Sequence, residues 1–449
     1  MQKELTKEFI AEIRELLETP ENKILQERFA DLHAADAAEI IEALPEDEGL
    51  EFLRYFDGEK RADILMELEE DDREKIVSLL SPKQIAEDVI VNLESDDAAD
   101  LIAELEDDRK EEVISQIQDL EQAKDIVDLL NYPEDSAGGL MAKELIKVNL
   151  NWSVLTCVRE MRRQAEDVDQ VHTIYVVDDD NILRGTLSLK KLLTNPTRTK
   201  VSDIFSPEVR SVKASLDDEE VASIMQKYDL FVLPVVDDLG RLLGRITVDD
   251  VIDVIREEAD KDYQMASGIS ENVESDDSIG LLTRARLPWL MVGLIGGLVG
   301  AQVIQIFDIE KNVEMAYFIP LIAAMAGNVG VQSSAIIVQS LANKSGQFSS
   351  ILQKLAKELG VGLLNGLILS TLLFGFNFFF GLKIELASTV SLALFVVIIF
   401  AALFGTFVPL LLDKYKIDPA LATGPFITTM NDVIGLMIYF YIGKILIGY

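Results

Sequence analysis

The chain has 449 residues and a formal net charge of −37, from 78 acidic and 41 basic side chains. A charge of this size repels phosphate, which excludes nucleic acid as a partner, and the single cysteine, Cys157, excludes an intrachain disulfide. Residues 1–280 carry a net charge of −39 and the remainder +2, so an acidic soluble part, predicted to be cytosolic, is joined to a nearly neutral apolar part.

Residues 1–133 are predicted to form an acidic, all-α superhelical domain. Three amphipathic segments, each ending in an acidic turn, resemble one another: AADAAEIIEALPED from Ala34, EKRADILMELEEDD from Glu59 and SDDAADLIAELEDD from Ser95. Such recurrence is typical of stacked helix pairs. The charged N-terminal segment is not expected to be a signal peptide, and the Pro and Gly of NYPEDSAGGLM predict a linker at 131–141.

Two similar α/β units are predicted at 134–200 and 201–247. IYVVDDDNILRGTLSLKKLL, from Ile174, aligns with LPVVDDLGRLLGRITVDDVI, from Leu233, at a constant shift of 59 residues. Each unit has the pattern of a strand, an acidic turn, a strand and a helix. This repeat resembles a pair of CBS domains.

The CBS resemblance implies a site for ATP or another adenosine nucleotide. The Ser/Thr-x-x-Asp motif that contacts the nucleotide in such domains is present here from Thr247 to Asp250, and these two are the expected cofactor-binding residues. In the first unit the step runs from Ser188 to Lys191, so the aspartate is missing there.

Residues 248–280 are predicted to hold an amphipathic connecting (plug) helix and a linker. The segment TVDDVIDVIREEADKDYQMASGI carries seven acids between apolar positions. Like charges three and four residues apart destabilise a helix by a few tenths of a kcal/mol, on the order of 0.2–0.5 per pair. A solvated acidic face explains the pattern, and so does a helix that carries a signal to the segments that follow.

Residues 281–449 are predicted to form a transmembrane pore domain of five helices, because each apolar run approaches or exceeds the ~20 residues needed to span a bilayer. The predicted spans are about 287–307, 316–341, 359–382, 386–412 and 419–447. With the N-terminus inside, the inner flanks carry Arg284, Arg286, Lys344, Lys354, Lys357, Lys414 and Lys416, and the outer loops Lys311 and Lys383. This asymmetry predicts a multi-pass protein of the plasma (inner) membrane, with a cytosolic N-terminus and an external C-terminus.

Polar residues inside the second and fifth spans point to a function beyond anchoring. Asn328 and Gln332 lie in the second span, and polar groups at that depth face either other helices or a water-filled path. Asp432 lies in the fifth span, where an acid costs about 2.5–3.5 kcal/mol on insertion scales. Such a carboxyl is protonated, relays protons or faces a cation. We favour cation coordination, because no basic residue lies at its depth.

The order of domains and several motifs resemble the MgtE family of magnesium channels over essentially the whole chain. The motifs are AGGLM, VLPVVD, TVDDVIDV, AGNVGVQS, GVGLLNG, DPALATGP and NDVIGLMIYF. The resemblance implies a homodimer whose pore is lined mainly by the second and fifth spans, where Asp432 of each protomer faces the other and selects the ion. The expected pore-lining residues are Asn328, Gln332, Thr428, Thr429 and Asn431. The chain departs from the family at Gly424, often Asn, and at Thr428, which replaces a smaller residue.

The resemblance also implies regulatory Mg²⁺ ions held by acids outside the spans. The matching positions are Asp96 and Asp100 in the helical domain, Glu219, Asp229, Asp250 and Asp253 in the CBS region, Glu258 on the connecting helix and Asp418 before the fifth span. Lys261 stands where some relatives have an acid.

Together these features predict a magnesium-selective channel that takes up Mg²⁺ down its electrochemical gradient and is closed by Mg²⁺ binding to its acidic cytosolic domains. The chain lacks a GxxxxGK[ST] phosphate loop, so ATP-driven pumping is not expected. Mg²⁺ and lipid are the expected partners, besides a second copy of the chain. Two alternatives are a proton-coupled divalent-cation carrier or exporter and a membrane-tethered CBS nucleotide sensor. An enzyme is not predicted.

Overall fold

The computed structural model describes residues 6–17, 28–165, 168, 170–270, 273, 275, 277–307, 313–342, 350–422 and 424–448. The chain divides into two compact units, Met1–Ile255 and Arg256–Tyr449. Lys311 and Lys344, two of the basic residues that flank the predicted spans, lie outside the described residues.

Short helices joined by tight turns form the first part of the first unit. Their bounds are α1 Lys7–Leu17, α2 Ala34–Glu42, α3 Glu46–Leu53, α4 Gly58–Met66, α5 Glu70–Ser78, α6 Ser95–Ala103, α7 Asp107–Gln116 and α8 Leu120–Leu129. A helical turn with a π-helical stretch occupies 82–92. Apolar positions repeat every three or four residues and bury Phe52, Ile64 and Leu101 in one core. The all-α domain predicted from the three similar segments is confirmed.

Two three-stranded sheets follow, one for each predicted α/β unit. The first unit contains β1 Ile146–Asn149, α9 Val154–Gln164, β2 Ile174–Val177, β3 Leu183–Leu187 and α10 Leu189–Thr194. The second contains β4 Val212–Lys213, α11 Asp218–Tyr228, β5 Val232–Val236 and β6 Leu242–Thr247. In each sheet the first two strands are parallel and the last two antiparallel. The units therefore share one topology, as the repeat predicts.

The acidic turns between the paired strands explain part of the repeat. Asn181 and Gly240, which are equivalent at the 59-residue shift, have positive φ angles of 61° and 84°. Asp178 and Asp237 precede them and accept hydrogen bonds from backbone N–H groups of the same turn. A carboxylate that accepts such bonds is typical of tight turns, so these acids have a structural role.

Arg245, in β6, joins the second α/β unit to the helical domain. Its guanidinium donates to both carboxylate oxygens of Glu94, at 2.7 and 2.8 Å, and to the carbonyl oxygen of Glu144 at 2.5 Å. Only 5% of Arg245 is exposed. Next to this pair, the Glu144 carboxylate accepts a hydrogen bond of 2.7 Å from the hydroxyl of Ser95.

The predicted connecting helix is α12, Val248–Ala266, which begins in the first unit and ends in the second. Val251 and Val254 are buried, whereas most of its acidic side chains are exposed. The structure therefore confirms that this helix is amphipathic, with an apolar buried face and an acidic exposed face.

The second unit contains five helices long and apolar enough to cross a membrane. Its helices are α13 Ile279–Ile306, α14 Val313–Ala316, α15 Ile319–Ala342, α16 Ile351–Phe379, α17 Ile384–Lys414 and α18 Pro425–Ile447, with α14 and α15 counted as one span. α18 packs against α13, α15 and α17, and α17 also packs against α15 and α16. The fold class predicted from the sequence, a multidomain membrane protein with a helical domain, tandem CBS domains, a connecting helix and five spans, is confirmed.

Candidate functional site

Asp432 lies two turns into α18, where no basic side chain among the described residues pairs with it. The helix begins with Pro425 at its first position, where the missing N–H is not needed. The Oδ1 atom of Asp432 is buried and has no hydrogen-bond partner among the described residues, and no ion pair in that part of the chain includes it. A carboxyl in such surroundings needs a proton, water or a cation.

Gly327 of α15 brings the second and fifth membrane helices together at this carboxylate. A Cβ atom built on Gly327 would lie 3.1 Å from Cγ2 of Thr428 and 3.4 Å from Oδ1 of Asp432. The glycine therefore leaves room for the acid on the neighbouring helix.

Two threonines precede the acid and have different surroundings. Thr428 is half-buried, and its hydroxyl donates to the carbonyl oxygen of Gly424 at 2.9 Å, leaving the lone pairs of its Oγ1 free to accept. Thr429 packs against Gly296 of α13, since a Cβ on that glycine would overlap the threonine methyl. Thr429 therefore also serves contact between helices.

Asn328 and Gln332 are four residues apart on α15, so they share one face of the helix. Both side chains are exposed on this single chain. An exposed polar face on a membrane helix requires water or another protein surface. That these residues line a pore stays a prediction.

Asn431 is placed differently from the other residues predicted to line the pore. It is 0% exposed, and its side chain packs on Gly330 of α15, where a Cβ atom would overlap the amide. In this chain its amide is thus enclosed by protein.

In the soluble unit, the structure brings Asp96 and Asp100 of α6 near Asp250 of α12, together with Asp97. Burial raises the pKa of Asp97 to about 7, and repulsion from Asp250 and Asp100 adds to it. Burial likewise raises the pKa of Asp100 to about 7, although Arg73 attracts its charge. Burial and repulsion from Asp97 raise the pKa of Asp96 well above its ordinary value.

Asp250 belongs both to this acidic cluster and to the nucleotide step predicted from the sequence. Its Oδ2 atom accepts hydrogen bonds from the backbone N–H of Thr247 at 3.1 Å and from the threonine hydroxyl at 2.6 Å. Burial raises the pKa of Asp250, and these bonds oppose the shift. At the equivalent place in the first unit, Lys191 donates to the hydroxyl of Ser206 at 3.1 Å.

Asp418 is exposed before α18, and its Oδ1 atom accepts the backbone N–H of Ala420 at 2.8 Å. Its charge acts on Asp262 near the end of α12. Burial raises the pKa of Asp262, and Asp418 and then Glu258 add to the shift by repulsion. Glu258 itself forms an ion pair with Lys261 at 2.8 Å. These acids of the connecting helix thus lie in the field of the acid that precedes the fifth span.

The remaining predicted metal ligands are exposed. Glu219 lies in the first turn of α11, Asp229 ends that helix with a φ of 51°, and Asp253 is on α12. Within the described ranges, no three carboxylate, histidine or cysteine side chains converge as ligands for one metal ion. The metal-ligand predictions therefore stay predictions.

Comparison with known proteins identifies relatives over most of the chain. The family model described as a divalent cation transporter matches residues 319–442, the MgtE intracellular N domain matches 32–135, and the CBS domain matches 137–196 and 201–257. The magnesium transporter MgtE of Thermus thermophilus is 38% identical over 71% of this chain and 72% of its own length. That of Bacillus subtilis is 33% identical over 70% of each. The crystal structure of the cytosolic domain of the Mg²⁺ channel MgtE in complex with ATP covers 55% of this chain and 99% of its own, with a TM-score of 0.51 and 33% identity.

Proposed function

Because the chain belongs to the MgtE family of magnesium transporters, we propose that it carries Mg²⁺ across the cell membrane into the cytosol. It is a multi-pass membrane protein and, in this proposal, not an enzyme. The observation that carries the proposal is Asp432, a membrane carboxylate without a cationic partner among the described residues, which lies where α15 and α18 meet.

The chemistry of this site suits a hydrated divalent ion. Mg²⁺ prefers octahedral oxygen ligands and loses its water reluctantly, so protein sites usually hold it by one or two carboxylates and keep several waters. One carboxylate from each of two protomers, with hydroxyl oxygens such as that of Thr428, can hold the hydrated ion without trapping it. The membrane potential supplies about 4.6 kcal/mol per divalent ion at 100 mV, so uptake needs no ATP.

In this proposal two copies of the chain form the pore, and the acidic unit faces the cytosol. The exposed polar face of Asn328 and Gln332 supports the dimer, because a polar helix face inside a membrane must contact water or another protein surface. The excess of basic residues at the inner flanks supports the orientation.

The acids outside the membrane close the pathway when cytosolic Mg²⁺ is high. Asp97, Asp100 and Asp250 repel one another, and a bound cation relieves the repulsion. Carboxylates do not need to converge for this purpose, since Mg²⁺ is often held by one or two of them through its waters. Binding to the closed form alone favours closure by mass action.

The CBS pair binds an adenosine nucleotide in this proposal. The similar cytosolic domain was crystallised with ATP, and the Thr247–Asp250 step is intact. In the first unit Lys191 stands in place of the motif's aspartate and donates to Ser206, which favours one nucleotide site in the pair over two.

The test is Mg²⁺ influx into liposomes containing the full chain, followed with an internal fluorescent indicator. Asp432→Asn should lower influx by at least about tenfold, since the side chain keeps its volume and loses its charge. Glu385→Gln, which removes an exposed acid from the first turn of α17, is the matched control and should leave influx unchanged. Equal influx in Asp432→Asn and wild type would disprove the site. Influx that follows an imposed pH gradient would favour the proton-coupled carrier.

A further inference from the structure

Building on the proposed transport function, we propose that Asn431 is a positioning residue for the ion pathway. Its enclosed amide fixes the rotation of α18 against α15 and so determines where the carboxylate of Asp432 points. This role differs from the pore-lining role that the sequence resemblance gave to Asn431.

The packing around Gly330 is tight. A Cβ atom on Gly330 would overlap the Nδ2 atom of Asn431 and would lie 2.8 Å from Cγ2 of Ile427. From α17, Gly405 approaches so closely that its own Cβ would overlap the Gly330 carbonyl oxygen. The backbone at Gly330 is therefore packed between α17 and α18, which restricts the space for the Asn431 side chain.

Asn431 is a less stabilising choice for this enclosed position than an apolar side chain. Neither of its amide atoms has a protein hydrogen-bond partner among the described residues, and enclosing an amide without one costs more free energy than enclosing an apolar group of the same shape. A leucine of similar size would fill the space without that cost. Residues that break a packing rule next to a binding group are typical of functional sites.

Other polar atoms at the junction of α15, α17 and α18 also lack protein partners. Oγ of Ser334, one turn after Gly330, and Oγ1 of Thr406, next to Gly405, are buried without partners in the described part of the chain. Ordered water is the usual partner of such atoms. We expect the junction of α15, α17 and α18 to hold water beside Asp432, whose Oδ1 atom also lacks a protein partner there.

Positioning matters because Asn431 and Asp432 are adjacent. Successive residues of an α-helix project about 100° apart, so holding Asn431 on Gly330 directs Asp432 around the helix toward Gly327. A helix rotation of about 20° would move a side-chain tip by about 2 Å. Mg²⁺ demands near-ideal octahedral geometry and Ca²⁺ tolerates irregular sites, so lost positioning should cost Mg²⁺ preference first.

The test compares Asn431→Leu with Asn377→Leu in the full chain, measuring influx of Mg²⁺ and of Ca²⁺ in liposomes and thermal unfolding in detergent. Asn377, on α16, is the matched control because it is 1% exposed and its Nδ2 atom also lacks a partner among the described residues. Asn431→Leu should lower Mg²⁺ influx about fivefold or more and reduce the Mg²⁺/Ca²⁺ ratio, while the unfolding temperature stays the same or rises. Asn377→Leu should change neither flux. Wild-type influx in Asn431→Leu, or a loss of influx that accompanies a lower unfolding temperature, would overturn the proposal.

A second pair of variants tests the contact itself. Gly330→Ala should lower influx because its methyl group overlaps the Asn431 amide. Asn431→Ala should lower influx because it removes the positioning side chain. The double variant should lose less than the two losses combined, since both changes break the same contact, and fully additive losses would argue against the contact. If the wild-type chain moves no Mg²⁺, the proposed function fails; if it does and Asn431→Leu matches Asn377→Leu, only the positioning role fails.

Discussion

The carboxyl of Asp97 links protonation to stability and, in the proposed regulation, to metal binding. Its pKa of about 7 lies above the ordinary value near 3.9 that it regains on unfolding. A raised folded pKa means that the stabilisation is complete at low pH and is lost as the pH rises through about 7. In the proposed regulation Mg²⁺ takes the place of the proton, so its stabilising effect should grow over the same pH range.

We therefore expect the metal-free chain to unfold at a lower temperature at pH 8 than at pH 6, and Mg²⁺ to raise that temperature more at pH 8. Asp97→Asn should remove part of the pH effect and part of the Mg²⁺ effect, because the amide stays neutral. A shift of about 2–4 °C corresponds to about 1 kcal/mol in a domain of this size. The measurement is thermal unfolding of the full chain in detergent. Asp108→Asn, at an exposed position of α7, is the control, and identical pH profiles for the two variants would contradict the prediction.

The sequence identifies the acids of such sites more easily than their surroundings. The motif SDDAADL predicts Asp96 and Asp100 by resemblance, but Asp97 was missed, because its proximity to Asp250 exists only in the folded chain. The adjacent acids of this motif are the sequence signal that could have identified Asp97 as part of the cluster. Similarly, the sequence cannot decide that Asn431 is enclosed while Asp432 faces Gly327, since about 100° of helix rotation separates two neighbours.

At the scale of elements, the end of α12 meets the beginning of α18 through two glycines. Gly424 has a φ of 56°, and a Cβ on it would overlap the carbonyl oxygen of Ala266. Gly268 has a φ of 80°, and its Cβ would approach Cγ of Pro425. The connecting helix and the helix that carries Asp432 are therefore in contact at a point where only glycine fits.

We expect Gly424→Ala to loosen this contact and to weaken closure by Mg²⁺. The internal Mg²⁺ concentration that halves influx should rise about threefold or more. A positive φ angle costs a non-glycine residue roughly 1–2 kcal/mol by itself, so the control must also replace a glycine with positive φ. Gly381→Ala is such a control. Gly381 has a φ of 78°, and no atom lies near its Cβ position, so only the contact differs. Equal inhibition curves for the two variants would show that the contact does not transmit the signal.

Elements were predictable where periodicity is strong, and their ends were not. The two sheets follow from the repeated strand pattern, and the membrane helices from apolar runs. The first and third spans are predicted to begin near 287 and 359, yet α13 begins at Ile279 and α16 at Ile351. α16, with 29 residues, is about 44 Å long, well beyond a hydrocarbon core of about 30 Å, and charged residues such as Lys354 and Lys357 lie in the part that precedes the apolar run.

At the scale of the molecule, the ion pair of Arg245 with Glu94 joins the helical domain to the CBS pair. Arg245 is almost fully buried, while the Glu94 side chain keeps 24% exposure. Removing one partner of a buried pair costs about 3–5 kcal/mol, and the lower part of that range applies to a half-buried acid. The ion pair therefore contributes to holding the helical domain on the CBS pair, and the Mg²⁺ binding proposed for the acidic cluster would act in addition to it.

We expect Arg245→Met to destabilise the full chain and to raise the Mg²⁺ concentration needed for closure, because Glu94 then adds an unpaired negative charge to an acidic region. Arg241→Met is the matched control: Arg241 pairs with Asp237 at 2.6 Å, its side chain is 53% exposed, and a surface pair contributes about 0–1 kcal/mol. Adding Glu94→Leu to Arg245→Met should restore most of the stability, since removing both charges of a buried pair is often neutral. Chemical unfolding of the full chain measures the first effect and Mg²⁺ inhibition of influx the second. Equal losses in Arg245→Met and Arg241→Met would contradict the prediction, because the charge on Glu94 would then cost nothing when left unpaired.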